Sequence, residues 1–507
     1  MNMNLNLNLS PTLTLTRADL IRSQSFLDGR WVDALDGRRM PVTNPATGEL
    51  IGEVPDCTPE DARAAVDAAQ RAFELYRHTV ARDRAALLKR WHGLILANRE
   101  DLARLMSLEQ GKPLSESRTE VAYGASYVEW FAEEAKRSGG DVIPEQHGSH
   151  RLLVIKQPVG VVAAITPWNF PLAMLARKIA PALAAGCAVV CKPAEDTPLT
   201  ALAMAVLLEE AGAPAGLVNI LTSSRERAAA LGDAWLADFR VRKISFTGST
   251  PVGKHLARES AATLKRLSLE LGGNAPFIVF EDADLPAAVN GLMVAKFRNA
   301  GQTCICPNRV YVHEQVYDKF AGMLAEKVGA LSIGPAGGDA EIGPLINARA
   351  IEKAEAHLLD AVAHGARVLV GGARHACPGA PNGHFFSPTV VIDVDARMRM
   401  SHEETFGPVV PLTPFSTDEE VVALANDTPY GLAAYFYSRD IDRVWQVAEA
   451  IEAGMVAVND GALSTEVAPF GGIKESGYGR EGSQYGLDEY LNIKYIRHGN
   501  LPARKSA

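Results

Sequence analysis

Residues 186–212, GCAVVCKPAEDTPLTALAMAVLLEEAG, decide the fold. The apolar run at 187–191 reads as a buried strand, and after a polar loop Thr197 and Pro198 supply an N-cap and first-turn proline for a helix that Gly212 stops. Working outward, LVNILT and KISFTGS add short apolar strands, and the second runs into Thr250 and Pro251, again a cap and first-turn proline. Repeated strand-loop-helix units predict a parallel sheet with helices on both faces. Upstream, residues 63–140 carry apolar side chains at spacings of three and four, the mark of surface helices. RLLVIKQPVGVVAAITP then reads as two strands meeting at a bend near Pro158 and Gly160. Downstream, the helix ADLPAAVNGLMVAKFRNAG and strands such as FFSPTVVIDV predict a second α/β domain. The stretch LDEYLNIKYIRH alternates like an exposed strand, an edge open to pairing with another chain.

The composition narrows the function classes. A chain of 507 residues has room for about three compact units. With 47% hydrophobic and 22% charged residues it is globular, and a net charge of -9 without a basic block argues against nucleic acid as a partner. The six cysteines lack zinc-site spacing and are too few for a secreted disulfide framework, so the expected compartment is the cytoplasm and no metal is expected. The opening MNMNLNLNLSPTLTLT lacks the basic and long apolar regions of a signal peptide and reads as a loose tail, and no apolar run is long enough for a membrane span.

Chemistry has five candidate sites. Cys304, in FRNAGQTCIC, follows a helix in a glycine-containing loop, where it is either a nucleophile or a small buried hydrophobe. Glu270 ends the strand of LELGGNAP before two glycines, placed for a partly desolvated base or for a surface ion pair. Asn169 in TPWNFP is either an oxyanion donor or an ordinary turn residue. In FTGSTPVGK, Gly248 and Ser249 lie between strand and helix, where free N–H groups favour a pyrophosphate; no GxGxxG fingerprint is present. Cys306, two residues past Cys304, is either a redox partner for it or packing.

Together TPWNFP, GCAVVCKPAEDTP, FTGSTPVG, LELGGNAP, FRNAGQTC, EETFGP and PFGGIKESGYGREGSQYG resemble the aldehyde dehydrogenase superfamily in order and spacing. FRNAGQTCIC, the Arg of MLARK and EVAPFGGIKESGYGREGS look most like its succinate-semialdehyde dehydrogenases. The resemblance implies an α/β fold of two parallel-sheet domains plus a small β oligomerisation element, in a homodimer or homotetramer. It implies a loose tail at 1–22, an NAD-binding domain at 23–145 and 163–270, the oligomerisation element at 146–162 and 487–507, and a catalytic domain at 271–486. It assigns Cys304 as nucleophile, Glu270 as general base and Asn169 as oxyanion donor, and puts Lys178 in the catalytic set. Thr166, Trp168, Lys192, Pro193, Ala194, Glu195, Gly248, Ser249, Gly253, Glu404 and Phe406 match cofactor positions, for NAD with NADP weaker. Arg177 and Arg298 match substrate-carboxylate positions, with Ser464 or Thr465 assisting. The implied partner is a small semialdehyde, of succinate or, as the alternative, of glutarate.

Overall fold

The computed structural model describes residues 14–146 and 150–499. Its first sheet has eight strands, five of which are central and parallel: Val218–Ile220, Ala188–Lys192, Val161–Ile165, Val241–Thr247 and Arg266–Glu270, in that spatial order. In chain order this is 3-2-1-4-5, so the winding reverses between Val161–Ile165 and Val241–Thr247, the place where such sheets open a ligand crevice beyond their carboxyl ends. Thr166 to Asn169 leave the first of these strands and Gly248 and Ser249 leave the second. The strand Ala188–Lys192 is buried throughout, and the helix Pro198–Glu210 that follows has only its last two residues exposed, which explains their unbroken apolar sequence.

A second, seven-stranded sheet is parallel except at the Arg367–Val370 edge and is centred on Ala275–Val279 and Pro307–His313. Cys304 lies in the loop entering the latter strand. A small antiparallel sheet joins Asp141–Ile143, Arg151–Pro158 and Leu491–His498, and leaves Val142, Ile493 and Tyr495 exposed. No helix among the described residues is long and apolar enough to cross a membrane.

The expected boundaries shift where pairing overrides the linear reading. Asp141–Ile143 belongs to the small sheet because it pairs with Arg151–Pro158, whereas Val161–Ile165 is the centre of the first sheet. Gly477–Tyr478, expected in the second domain, crosses back to pair with Leu269 and Glu270. The N-cap of helix Thr250–Ser260 is Ser249 rather than Thr250. Of the stretch at 487–498 expected as a final strand, Leu491–His498 is the strand, and only Leu487 and Asp488 belong to the preceding helix Ser483–Asp488.

The tail is not loose over its described part. Asp101 accepts the backbone N–H groups of Thr16 and Arg17 at 2.8 and 2.9 Å, Arg17 pairs with Glu210 at 3.0 Å, and Leu20 is fully buried. Residues 1–13, 147–149 and 500–507 of the expected segments lie outside the described residues. Leu20→Ala should cost about 2–4 kcal/mol, the range for emptying a packed leucine site. A urea-unfolding midpoint equal to the parent's would show that this segment contributes nothing.

Candidate active site

The loop bearing Cys304 begins where helix Leu285–Phe297 ends, in left-handed backbone at Asn299, Ala300 and Gly301 (φ 52°, 54° and 76°). Two non-glycine residues in that region store strain, which the surroundings must hold. Glu116 Oε2 accepts the Asn299 N–H at 2.8 Å, and Gln110 Nε2 donates to Asn299 Oδ1 at 2.9 Å. Gly273 permits the loop's close approach, since a Cβ there would sit 2.4 Å from the Cys304 carbonyl oxygen. Cys304 is partly exposed, yet burial pushes its thiol up to about 12 in this state. Cys306 is fully buried and donates to the Lys296 carbonyl at 3.7 Å, so its thiol packs behind the loop.

Asn169 is held from both ends. Its Nδ2 donates to the Gln302 carbonyl at 3.0 Å, two residues from Cys304, which aims the amide at the sulfur's neighbourhood. Its own carbonyl accepts from Lys112 Nζ at 2.7 Å and from Asn299 Nδ2 at 2.9 Å. Lys112 has no exposed side chain and pairs with Glu120 at 2.6 Å. Glu120 in turn accepts the N–H groups of Leu172 and Ala173 at 3.0 and 3.2 Å, capping the helix Pro171–Ala185 that carries Arg177 and Lys178.

Glu270 is fully enclosed, and neither carboxylate oxygen has a hydrogen-bond partner among the described residues. Burial and the neighbouring Glu481 carboxylate hold its carboxyl well above the usual range, against Arg177 and Lys178. The surface ion pair is therefore excluded. Lys178 Nζ donates to Thr247 Oγ1 at 2.7 Å and to Glu481 Oε1 at 2.5 Å, and Arg177 Nε lies 2.8 Å from Glu481 Oε2.

Two cavities meet at Cys304. The larger, about 350 Å³, is lined by Trp168, Asn169, Gly248, Ser249, Glu404 and Phe406, all expected from sequence. Trp168 and Phe406 meet edge to face at 5.7 Å, and Glu404, pushed up to about 7 by burial, accepts the Gly273 N–H at 3.2 Å. Arg225, Arg349 and Lys353 also line it and make no ion pair among the described residues, so apolar walls, a helix N-terminus and spare cations together fit a dinucleotide. The sequence reading missed these cations because single basic residues carry no pattern. Thr166, Lys192, Pro193, Ala194 and Glu195 lie beside this cleft rather than in its lining: Thr166 N–H donates to the Lys192 carbonyl at 3.1 Å, and Lys192 Nζ sits 3.5 Å from Glu195. Gly253 lies outside the lining of this cleft, and a Cβ there would meet the Leu271 side chain at 2.4 Å.

The smaller pocket is lined by Arg177, Arg298, Ser464, Phe470, Phe170 and Tyr123, among others. Between the two alternatives, Ser464 reaches it, whereas the Thr465 hydroxyl faces Glu466 at 3.4 Å and its carbonyl accepts from Tyr127. Arg177 Nη2 is buried without a hydrogen-bond partner, and Arg298 lies over the Phe170 ring at 5.0 Å and makes no ion pair among the described residues.

Lys112→Met should leave the buried Glu120 carboxylate without its counter-charge and remove one of the two donors to the Asn169 carbonyl, costing about 3–5 kcal/mol, as when one partner of a buried pair is removed. The double change with Glu120→Leu should recover part of that loss, but not the helix cap. Denaturant titrations that show simple additivity would refute the coupling.

Residues 31–496 match the model of the aldehyde dehydrogenase family. The chain is 53% identical over 483 residues to a succinate-semialdehyde dehydrogenase [NADP(+)] of Escherichia coli, covering 95% of this chain and 99% of that one. It is 54% identical over 484 residues to a 3-sulfolactaldehyde dehydrogenase of Pseudomonas putida, covering 95% and 98%. It is 52% identical over 489 residues to a glutarate-semialdehyde dehydrogenase of Pseudomonas aeruginosa, covering 96% and 100%. With two α/β sheets meeting at Cys304 and a match across nearly its whole length, the chain belongs to the aldehyde dehydrogenase family of NAD(P)-dependent enzymes.

Proposed function

We propose that the enzyme oxidises a short aldehyde ending in an anion, succinate semialdehyde foremost, to the corresponding acid. The carrying observation is the Arg177 Nη2, buried and unpartnered in the same pocket as Arg298, Ser464 and Cys304. A planar guanidinium with spare donors is suited to a carboxylate. Glutarate semialdehyde and sulfolactaldehyde, named for two relatives, also end in anions and differ in length and head group.

In this reading Cys304 attacks the aldehyde carbon as thiolate, and the alkoxide that forms is held by the Asn169 amide and the Cys304 N–H. The hydride that leaves this carbon would need an acceptor, which bound NAD(P) would supply. The thioester left on Cys304 is opened by a water whose proton Glu270 removes, releasing the acid and restoring the thiol. Trp168, Phe406, Glu404, Gly248 and Ser249 would hold the cofactor. Glu195, next to the cleft, disfavours a 2′-phosphate by like charge, with Lys192 offsetting part of that repulsion, and so favours NAD over NADP.

Cys304→Ala should abolish turnover. Glu270→Gln should give one burst of reduced cofactor and then stall at the thioester. Because the Glu270 carboxyl lies above its ordinary range, it is ionised only at higher pH, so the acid limb of kcat should fall above the usual carboxylate range. Normal steady turnover of Glu270→Gln would remove it from the mechanism.

In a panel of aldehydes with and without terminal anions, run with each cofactor, the anionic ones should have the higher kcat/KM, and NAD should outperform NADP. Arg177→Ala should raise KM for succinate semialdehyde about tenfold or more while sparing butanal. Equal losses for both aldehydes would refute the clamp.

A further inference from the structure

We infer that Glu481 is a positioning residue shared by the tail clamp and the general base: one buried carboxylate fixes Arg177 on the substrate side and sets the charge facing Glu270 on the other. The inference rests on the proposed recognition of an anionic tail.

The geometry is closed on every side. Glu481 is held by its backbone, which exchanges 2.8 Å hydrogen bonds with Phe470 in both directions. Phe470 in turn lies under the Arg177 guanidinium at 4.1 Å, and Tyr127 flanks it at 5.1 Å. Rings lie on two sides and Glu481 Oε2 sits 2.8 Å from Nε as an ion pair without hydrogen-bond geometry, so Nε and Nη2 are both buried donors with no hydrogen-bond partner among the described residues. Shortening or neutralising Glu481 therefore releases the one anion that orients the clamp.

The same carboxylate acts on Glu270. Among the charged and titratable groups that act on Glu270 are Glu481, Arg177, Lys178, Arg480 and the Cys304 thiol, and Glu481 itself also feels Lys243. Burial raises the Glu481 carboxyl, but Lys178 and Arg177 outweigh that and hold it below its usual value, so it is ionised. A fixed negative charge in a dry site opposes ionisation of a second carboxyl beside it. Glu481 thereby keeps Glu270 protonated to higher pH than the two cations alone would.

The test compares succinate semialdehyde with butanal, which has the same four carbons and no tail, across pH. Glu481→Gln removes the charge while keeping the shape. It should lower the kcat/KM ratio of semialdehyde to butanal about tenfold, as expected for loss of a buried ion-pair partner. It should also move the acid limb of kcat about one pH unit lower. Glu481→Asp keeps the charge but shortens the reach, so the ratio should fall while the acid limb stays near the parent's. If Glu481→Gln does not fold, this split in Glu481→Asp still decides. Equal losses on both aldehydes with an unmoved acid limb would mean a merely structural role and overturn the inference. A parent enzyme with no preference for the semialdehyde would instead defeat the substrate reading. A parent preference that Glu481→Gln leaves unchanged would defeat only the role of Glu481.

Discussion

The carbonyl oxygen of Asn169 is the joint on which this active site depends. It accepts from Lys112, which lies between two helices of the first domain, Arg99–Gln110 and Leu114–Glu134, and from Asn299, which belongs to the strained loop of the second. A single acceptor thus ties together two domains that pack around separate cores. The Lys112 ammonium has left water entirely, and such a group persists only when its donors are satisfied. Glu120 supplies the counter-charge and at the same time caps the helix bearing Arg177 and Lys178. The amide of Asn169, the loop of Cys304 and the start of the clamp helix are consequently fixed by one set of bonds, and none can shift without disturbing the others.

Burial sets the chemistry of what this joint positions. Cys304 and Glu270 are both driven toward their neutral forms, so the two groups proposed to react carry little charge in the resting site. Ionising either depends on the cations nearby, Arg177 for both and Lys178 for Glu270. These cations are themselves partly neutralised by Glu481. The site is therefore a balance in which desolvation is the largest influence and a few fixed charges set its direction.

How much of this was legible in the sequence follows from how local each feature is. The unit at 186–212 has its strand and helix within one short stretch, so its reading matches the observed elements at Ala188–Lys192 and Pro198–Glu210; the Thr197 side chain makes no capping bond, and the distant Glu109 accepts the N–H groups of Leu199 and Thr200 instead. Gly477–Tyr478 is two residues long and gains its strand character only from pairing with Leu269 and Glu270, which no local pattern reports. Thr16 to Leu20 looked like tail because their anchor, Asp101, lies some 80 residues away. Cys304, Glu270 and Asn169 stood in recognisable motifs. Lys112 stood in EQGKP, a helix end with an ordinary basic residue, and only its enclosure gives it a role. Glu481 lay within GYGREGS, where a charged residue between glycines reads as a solvated loop.

The placement of Arg177 and Arg298 shows why both were needed to read the substrate. Arg177 alone is accounted for by Glu481, and a buried arginine with a carboxylate partner is ordinary structure. Arg298 alone is accounted for by stacking on Phe170. What neither explanation covers is the donor left over at Arg177 Nη2 in a pocket that also reaches Cys304. An unpartnered donor on a buried charged group is costly unless something outside the chain completes it. On the proposed reading the partner is an acceptor that fits beside aromatic walls and reaches the sulfur with its other end. The short aldehyde with an anionic tail proposed above would satisfy all three, and its length and head group are what separate the compounds that the relatives' names give.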